Sequence, residues 1–170
     1  MDINKKVAML RECSKVERCH TMPHHGTYSN GQHSFDMMTL AWALMPLVTR
    51  NVMLAIMFHD LPERWTGDMP GCMKAEDAEF SKRMAIVEHR IERAMGWRVE
   101  LTDDERMWIK AIDKLELLLW ANEQIFMGNT AAHQIVNSLS KWFEVNKVPV
   151  EVVSFMAQYK WQRTPGMLPS

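Results

Sequence analysis

The sequence lacks most of what would mark an exported, membrane-bound or nucleic-acid-coating protein. Three cysteines among 170 residues, Cys13, Cys19 and Cys72, form an odd set with no CxxC spacing. That spacing argues against a disulfide framework or a thiolate zinc site, and it fits small buried thiols in a reducing cytoplasm. Neither sign of charge prevails, because 20 Lys and Arg stand against 21 Asp and Glu, for a formal net charge of -1. Such a balance gives no global reason to hold DNA, RNA or an anionic membrane, so an anionic ligand must rely on a local cluster of cations. Long apolar runs are missing too: the longest, Val52 to Phe58, falls far short of the ~20 residues that cross a bilayer. The N-terminal MDINKKVAMLREC has no signal-peptide core, so the expectation is a cytoplasmic protein without membrane contact.

Strand-length alternation, internal repeats and low-complexity segments are also absent. What is present is helical periodicity broken by turn residues, which predicts one all-α domain of six or seven helices over residues 1–163, with a loose tail at 164–170. The first helix runs from residue 2 to about 15. Residues 18 to 31, RCHTMPHHGTYSNG, read as a long loop, and long loops inside compact domains carry function or disorder. A second helix spans Gln32 to about Met45, with Asn30 as N-cap and Pro46 as stop, and a third runs from about Asn51 through Phe58. Trp65 to Gly71 is turn chemistry, and Lys74 to Met95 is a charged amphipathic helix closed by Gly96. Thr102-Asp-Asp-Glu105 is a capping box opening a helix that runs to about Met127, with Gly128 closing it. Helices at Thr130 to Asn146 and Pro149 to Tyr159 complete the chain. Sixteen Met and seven Trp residues serve packing, and those left exposed predict a homo-oligomer.

The chain is organised around VMLAIMFHDLPERWTGD, residues 52 to 68. Its apolar run ends in His59-Asp60, so a polar pair is carried towards the interior, where an ionised carboxylate is costly unless paired or bound to a metal. Pro62 stops the helix there and leaves the pair at a helix end, where neighbouring side chains converge more readily than in mid-helix. His33 falls in the first turn of the second helix, and Asp113 and Glu116 stand in the apolar segment from Trp108 to Trp120, where each needs a partner. Together His33, His59, Asp60 and Asp113 supply two imidazoles and two carboxylates, a set suited to Mn²⁺, Co²⁺, Ni²⁺, Fe²⁺ or Zn²⁺. Four protein ligands on a six-coordinate ion leave room for water and a substrate oxygen, as metal-assisted hydrolysis requires. Glu63 and Asp68 follow closely; Glu63 suits orientation of the water and Asp68 exchange of a proton with the leaving oxygen.

The order H…HD…D, with HDLPERWTGDMP after the pair, resembles the HD-domain metal-dependent phosphohydrolases over residues 18 to 113. Within that superfamily the pattern is similar to bacterial 5'-deoxynucleotidases and to small phage dATP triphosphohydrolases. The resemblance implies an HD-type helical fold, the four metal ligands just named, Glu63 and Asp68 in catalysis, and Arg18 on the substrate phosphate. Where the 5'-deoxynucleotidases typically follow that Arg with an aromatic residue, Cys19-His20 stands here, so Cys19 joins Arg18 as a substrate-binding candidate. Lys74 is a further candidate for phosphate contact, whereas His24 and His25 read as loop residues. This loop and the short chain favour a dNTP triphosphohydrolase, with dATP as substrate and a host cytoplasm as setting if the chain is phage-encoded. A triphosphate would call on Arg18, Arg64, Lys74 and Lys114, with additional Mg²⁺. The alternatives are a 5'-deoxynucleotidase acting on dNMPs and a non-catalytic nucleotide-binding module. In each case the partner is a small nucleotide.

Overall fold

The computed structural model describes residues 2–71, 76–96 and 99–159. All regular structure in them is helical: α1 (Ile3–Cys13), α2 (Asn30–Leu44), α3 (Arg50–Phe58), the single turn α4 (Glu63–Thr66), α5 (Ala78–Met95), α6 (Asp103–Phe126), a short 3₁₀ helix (Thr130–Ala132), α7 (His133–Val145) and α8 (Val150–Gln158). No described helix is long and apolar enough to cross a membrane. The tail at 164–170, the start of the helix expected from Lys74, and Cys72 lie outside the described residues.

The ends of the helices follow from side-chain capping. Thr102 and Glu105 form the expected capping box, and Thr49, the N-cap of α3, donates its hydroxyl to Glu105 Oε1 at 2.7 Å. The starts of α3 and α6 are thereby tied together. Gly96 closes α5 with φ +66°, and Gly128 takes φ +94° just after the Met127 C-cap of α6, conformations that glycine adopts without steric cost. Ser29, rather than Asn30, caps α2, and its side chain accepts the Gln32 N–H. The Asn30 side chain is buried and engaged with Arg18 and Glu63, so it is unavailable as a cap. The turn expected at Trp65 begins with the end of α4. Pro62, with φ -56° and ψ -27°, leads into that helical turn, where its missing N–H breaks no ladder. The expected helix from Thr130 is divided, because Asn129 caps the Ala131 N–H and a 3₁₀ turn precedes α7.

The main core lies between α2, α3, α6 and α8, where Met37, Ala41, Val52, Ile56, Ile112, Leu115 and Val152 are fully buried. Each large aliphatic side chain there contributes roughly 1.5–3 kcal/mol through removal from water. Tyr28, Trp120, Ala121 and Ala132 form a second cluster beneath the long loop. The loop itself is pinned: Arg18 N–H donates to Tyr28 O at 2.7 Å, Asn30 N–H to Val16 O at 2.9 Å, and Gln124 on α6 exchanges two hydrogen bonds with the backbone of His25. Gly31 allows the start of α2 to sit on the end of α1, since a Cβ there would lie 3.0 Å from both Ser14 Cβ and Ser14 O.

Candidate functional site

Three helix segments deliver the polar side chains to one point. The first turn of α2 brings His33, fully buried. The end of α3 brings His59, its C-cap, and Asp60. Asp113 and Glu116 stand three residues apart on α6 and so share a face. His33 Nε2 lies 3.2 Å from His59 Nε2, 3.6 Å from Asp60 Oδ2 and 3.3 Å from Asp113 Oδ1, and His59 Nε2 is 3.2 Å from Asp60 Oδ2. His33, His59 and Asp60 present ligand atoms all within 4.8 Å of one another. Asp113 joins from the His33 side, and its other oxygen pairs with Lys114 at 2.8 Å.

Both imidazoles are held from behind. His33 Nδ1 meets Glu116 Oε2, which also accepts the Tyr28 hydroxyl at 2.6 Å, and His59 Nδ1 donates to Ile56 O at 2.8 Å. Each Nδ1 is thus turned to an oxygen acceptor behind it, and each Nε2 to the common point. The field there favours positive charge. Burial opposes a charged His59, yet the Asp60 carboxylate beside it raises its pKa to about 9. His33 is likewise raised against the cost of burial, by Asp113 and Glu116. Asp60 and Asp113 are lowered despite burial, the first by the imidazole of His59 and the guanidinium of Arg18, the second by its bond to His33 and by Lys114. Two imidazole nitrogens and two carboxylates converging in a field that favours a cation fit a divalent transition metal, which would displace any proton held there.

The other predicted residues surround this cluster. Glu63, buried on α4, accepts from Asn30 Nδ2 at 2.9 Å, and burial followed by the Asp60 charge pushes its carboxyl up to about 7. Arg18 is buried as well: Nη1 contacts Asp60 Oδ2, donates to Asn30 Oδ1 at 3.2 Å and lies 3.9 Å from Glu63 Oε2. Its Nε is buried without a hydrogen-bond partner among the described residues. Asp68 Oδ2 accepts the backbone N–H of Cys19 at 2.8 Å, and Cys19 takes the left-handed φ of +53°. The TGD turn thus holds the Arg18-Cys19 corner of the loop. Lys74 lies outside the described residues. Of the other cations considered for a triphosphate, Arg64 Nε donates to Glu12 at 2.6 Å and Lys114 is paired with Asp113. His24 packs edge-on against Trp120 at 5.6 Å, with Nε2 3.6 Å from Glu17, which agrees with its reading as a loop residue. Beside Asn30 and Asp60 lies a cavity of about 390 Å³ with walls from Phe35, Met38, Met57 and Phe58.

Asn30, Tyr28 and Glu116 were not among the predicted site residues. Glu116 carried a signal, as an acid in an apolar helix one turn from Asp113. Asn30 and Tyr28 carried none, since an Asn before a helix reads as a cap and a Tyr in a loop as packing.

The model of the family described as YfbR-like, 5'-deoxynucleotidase YfbR-like, matches residues 5–162. No curated protein matches the chain. The family match spans every site residue named above and favours the nucleotidase alternative over the triphosphohydrolase reading; dATP and a phage source gain no support from it.

Proposed function

The chain belongs to the YfbR-like 5'-deoxynucleotidase family of HD-domain, metal-dependent phosphohydrolases acting on nucleotide phosphoester bonds, and from that premise we propose that it hydrolyses deoxynucleoside 5'-monophosphates. The match over residues 5–162 carries this reading. The pairing of Arg64 with Glu12 and of Lys114 with Asp113 supports it, because a triphosphate needs several uncommitted cations.

In this proposal His33, His59, Asp60 and Asp113 hold a divalent transition metal, Mn²⁺, Co²⁺, Zn²⁺, Ni²⁺ or Fe²⁺. When bound, the metal supplies Lewis-acid polarisation of the phosphoryl group and the attacking water. Arg18, with its free Nε, receives the phosphate, and Cys19 shapes the wall beside it. Glu63, with a carboxyl near neutrality, accepts the proton of the water as the new bond to phosphorus forms. The bond from phosphorus to the sugar 5' oxygen breaks, that oxygen keeps the electron pair, and Asp68 supplies its proton. Deoxynucleoside and inorganic phosphate result, so additional Mg²⁺ has no part in the reading. Exposed Phe35, Trp42 and Leu47 support a homo-oligomer, and a cytoplasmic setting fits a nucleotide substrate.

The test is product identification by ion-exchange chromatography after incubation with Mn²⁺ or Co²⁺ and, separately, each dNMP and dNTP. Release of inorganic phosphate from dNMPs is expected. Intact triphosphate from a dNTP would restore the other reading, and binding without any product would leave a nucleotide-binding module.

A further inference from the structure

Tyr28 and Glu116 form a buried tether behind His33. Glu116 Oε2 accepts the Tyr28 hydroxyl at 2.6 Å and meets His33 Nδ1, the hydroxyl itself lying 3.4 Å from that nitrogen, and Tyr28 is fully buried. The Tyr28 ring stacks on Trp120 with centroids 4.4 Å apart and planes 13° from parallel, so the phenol has one direction in which to donate. Burial, then the Glu116 charge, raises the Tyr28 pKa, which keeps the hydroxyl a donor. The same ring lies 5.5 Å from the Arg18 guanidinium carbon, and Tyr28 O accepts the Arg18 N–H at 2.7 Å. One side chain thereby touches the support of a metal ligand and the support of the phosphate-binding arginine.

We propose that Tyr28 and Glu116 are positioning residues, which fix His33 with Nδ1 protonated and Nε2 aimed at the metal, and which register the Arg18 loop against that ligand. The proposal rests on the reading of His33 as a ligand. A free imidazole divides its proton between two nitrogens and turns about its side-chain bonds, whereas a carboxylate at Nδ1 selects one tautomer and one ring plane. The hydroxyl of Tyr28 in turn holds the Glu116 carboxyl in place by donating to the same oxygen that faces Nδ1.

The experiment is titration of the full-length apoprotein with Co²⁺, followed by calorimetry and by the visible absorption of the bound ion, with thermal melting of each apo variant alongside. Glu116→Ala is expected to weaken Co²⁺ binding about 10- to 100-fold. Glu116→Gln, whose amide oxygen still accepts from Nδ1, should recover part of that loss. Tyr28→Phe keeps the packing on Trp120 and is expected to weaken binding about threefold, with a shifted absorption band. If Glu116→Ala does not fold, Tyr28→Phe decides alone. Wild-type affinity and an unchanged band in the folded variants, even with lowered melting temperatures, would overturn the proposal and leave a structural role. His33→Ala separates the two levels: Co²⁺ binding untouched by that change would remove the ligand reading itself.

Discussion

Helices α2, α3 and α6 build two interiors from the same repeating geometry. Met37, Ala41, Val52, Ile56, Ile112 and Leu115 fill one with hydrocarbon, and His33, His59, Asp113 and Glu116, one turn or less away on the same helices, fill the other with charge. The period of 3.6 residues treats both sets alike and turns both inward. What separates them is how burial is offset. The hydrocarbon interior gains free energy simply by leaving water, whereas each group of the polar interior loses hydration and must recover it from a specific partner. The apolar side therefore stabilises the fold, and the polar side holds a concentration of charge that the fold must tolerate.

Three substitutions probe that division. The largest effect belongs to His59→Ala. It removes one of the four proposed metal ligands, and kcat/KM for a dNMP should fall by about 10³-fold or more, the rate equivalent of several kcal/mol of lost Lewis-acid stabilisation. The apoprotein should lose less stability than in a core truncation, because Asp60 gives up the imidazole 3.2 Å away but keeps Arg18 beside it. A stability loss as large as that of a core truncation would erase the distinction between the two interiors.

Next comes Ile112→Ala, within the hydrocarbon set. It should destabilise the protein by about 3 kcal/mol through lost burial and the cavity left behind, measured by urea unfolding. Below the transition the variant should bind metal with wild-type stoichiometry. Loss of metal from the folded variant would show that the two interiors are not separable.

The smallest effect is expected from Glu63→Gln, and it depends on pH. The Glu63 carboxyl rises from its ordinary 4.5 to about 7 in the folded chain, chiefly through burial. The folded state therefore binds this proton more tightly than the unfolded state does. The stabilisation is present in full below about pH 4.5 and is lost as pH rises through about 7. Glutamine stays neutral throughout. In the apoproteins the variant should accordingly gain on the wild type across that window, by on the order of 2 kcal/mol at its upper end. Parallel stability curves from pH 4.5 to 7 would show that the buried carboxyl is not under the strain assigned to it.

Much of this organisation is legible in the sequence alone. The capping box at Thr102, the glycines at 96 and 128 and the proline at 62 act through the local backbone, so their effect travels with the sequence. The HD pair was legible because an apolar run that ends in charge conflicts with solvation unless something binds it. Asn30 misled for the opposite reason. Its position suits a cap, but a buried arginine and a buried glutamate claim its amide, and neither is adjacent in the chain. Arg64 is likewise committed by a distant partner, Glu12, 52 positions away, whereas Lys114 turns to its own neighbour in the chain, Asp113.

By itself the sequence determined the long helices, most of their ends, their inward faces and the residue types that can bind a divalent metal. All of these depend on backbone periodicity and on chemistry within a few residues. Tertiary structure alone decided which of those groups meet. Tyr28 donates to Glu116 across 88 positions, His33 meets Glu116 across 83, and Gln124 fastens the loop at His25 across 99. Contacts at such separations are set by how whole helices pack, and only that packing turns a list of candidate ligands into one site with a supported histidine and a placed arginine.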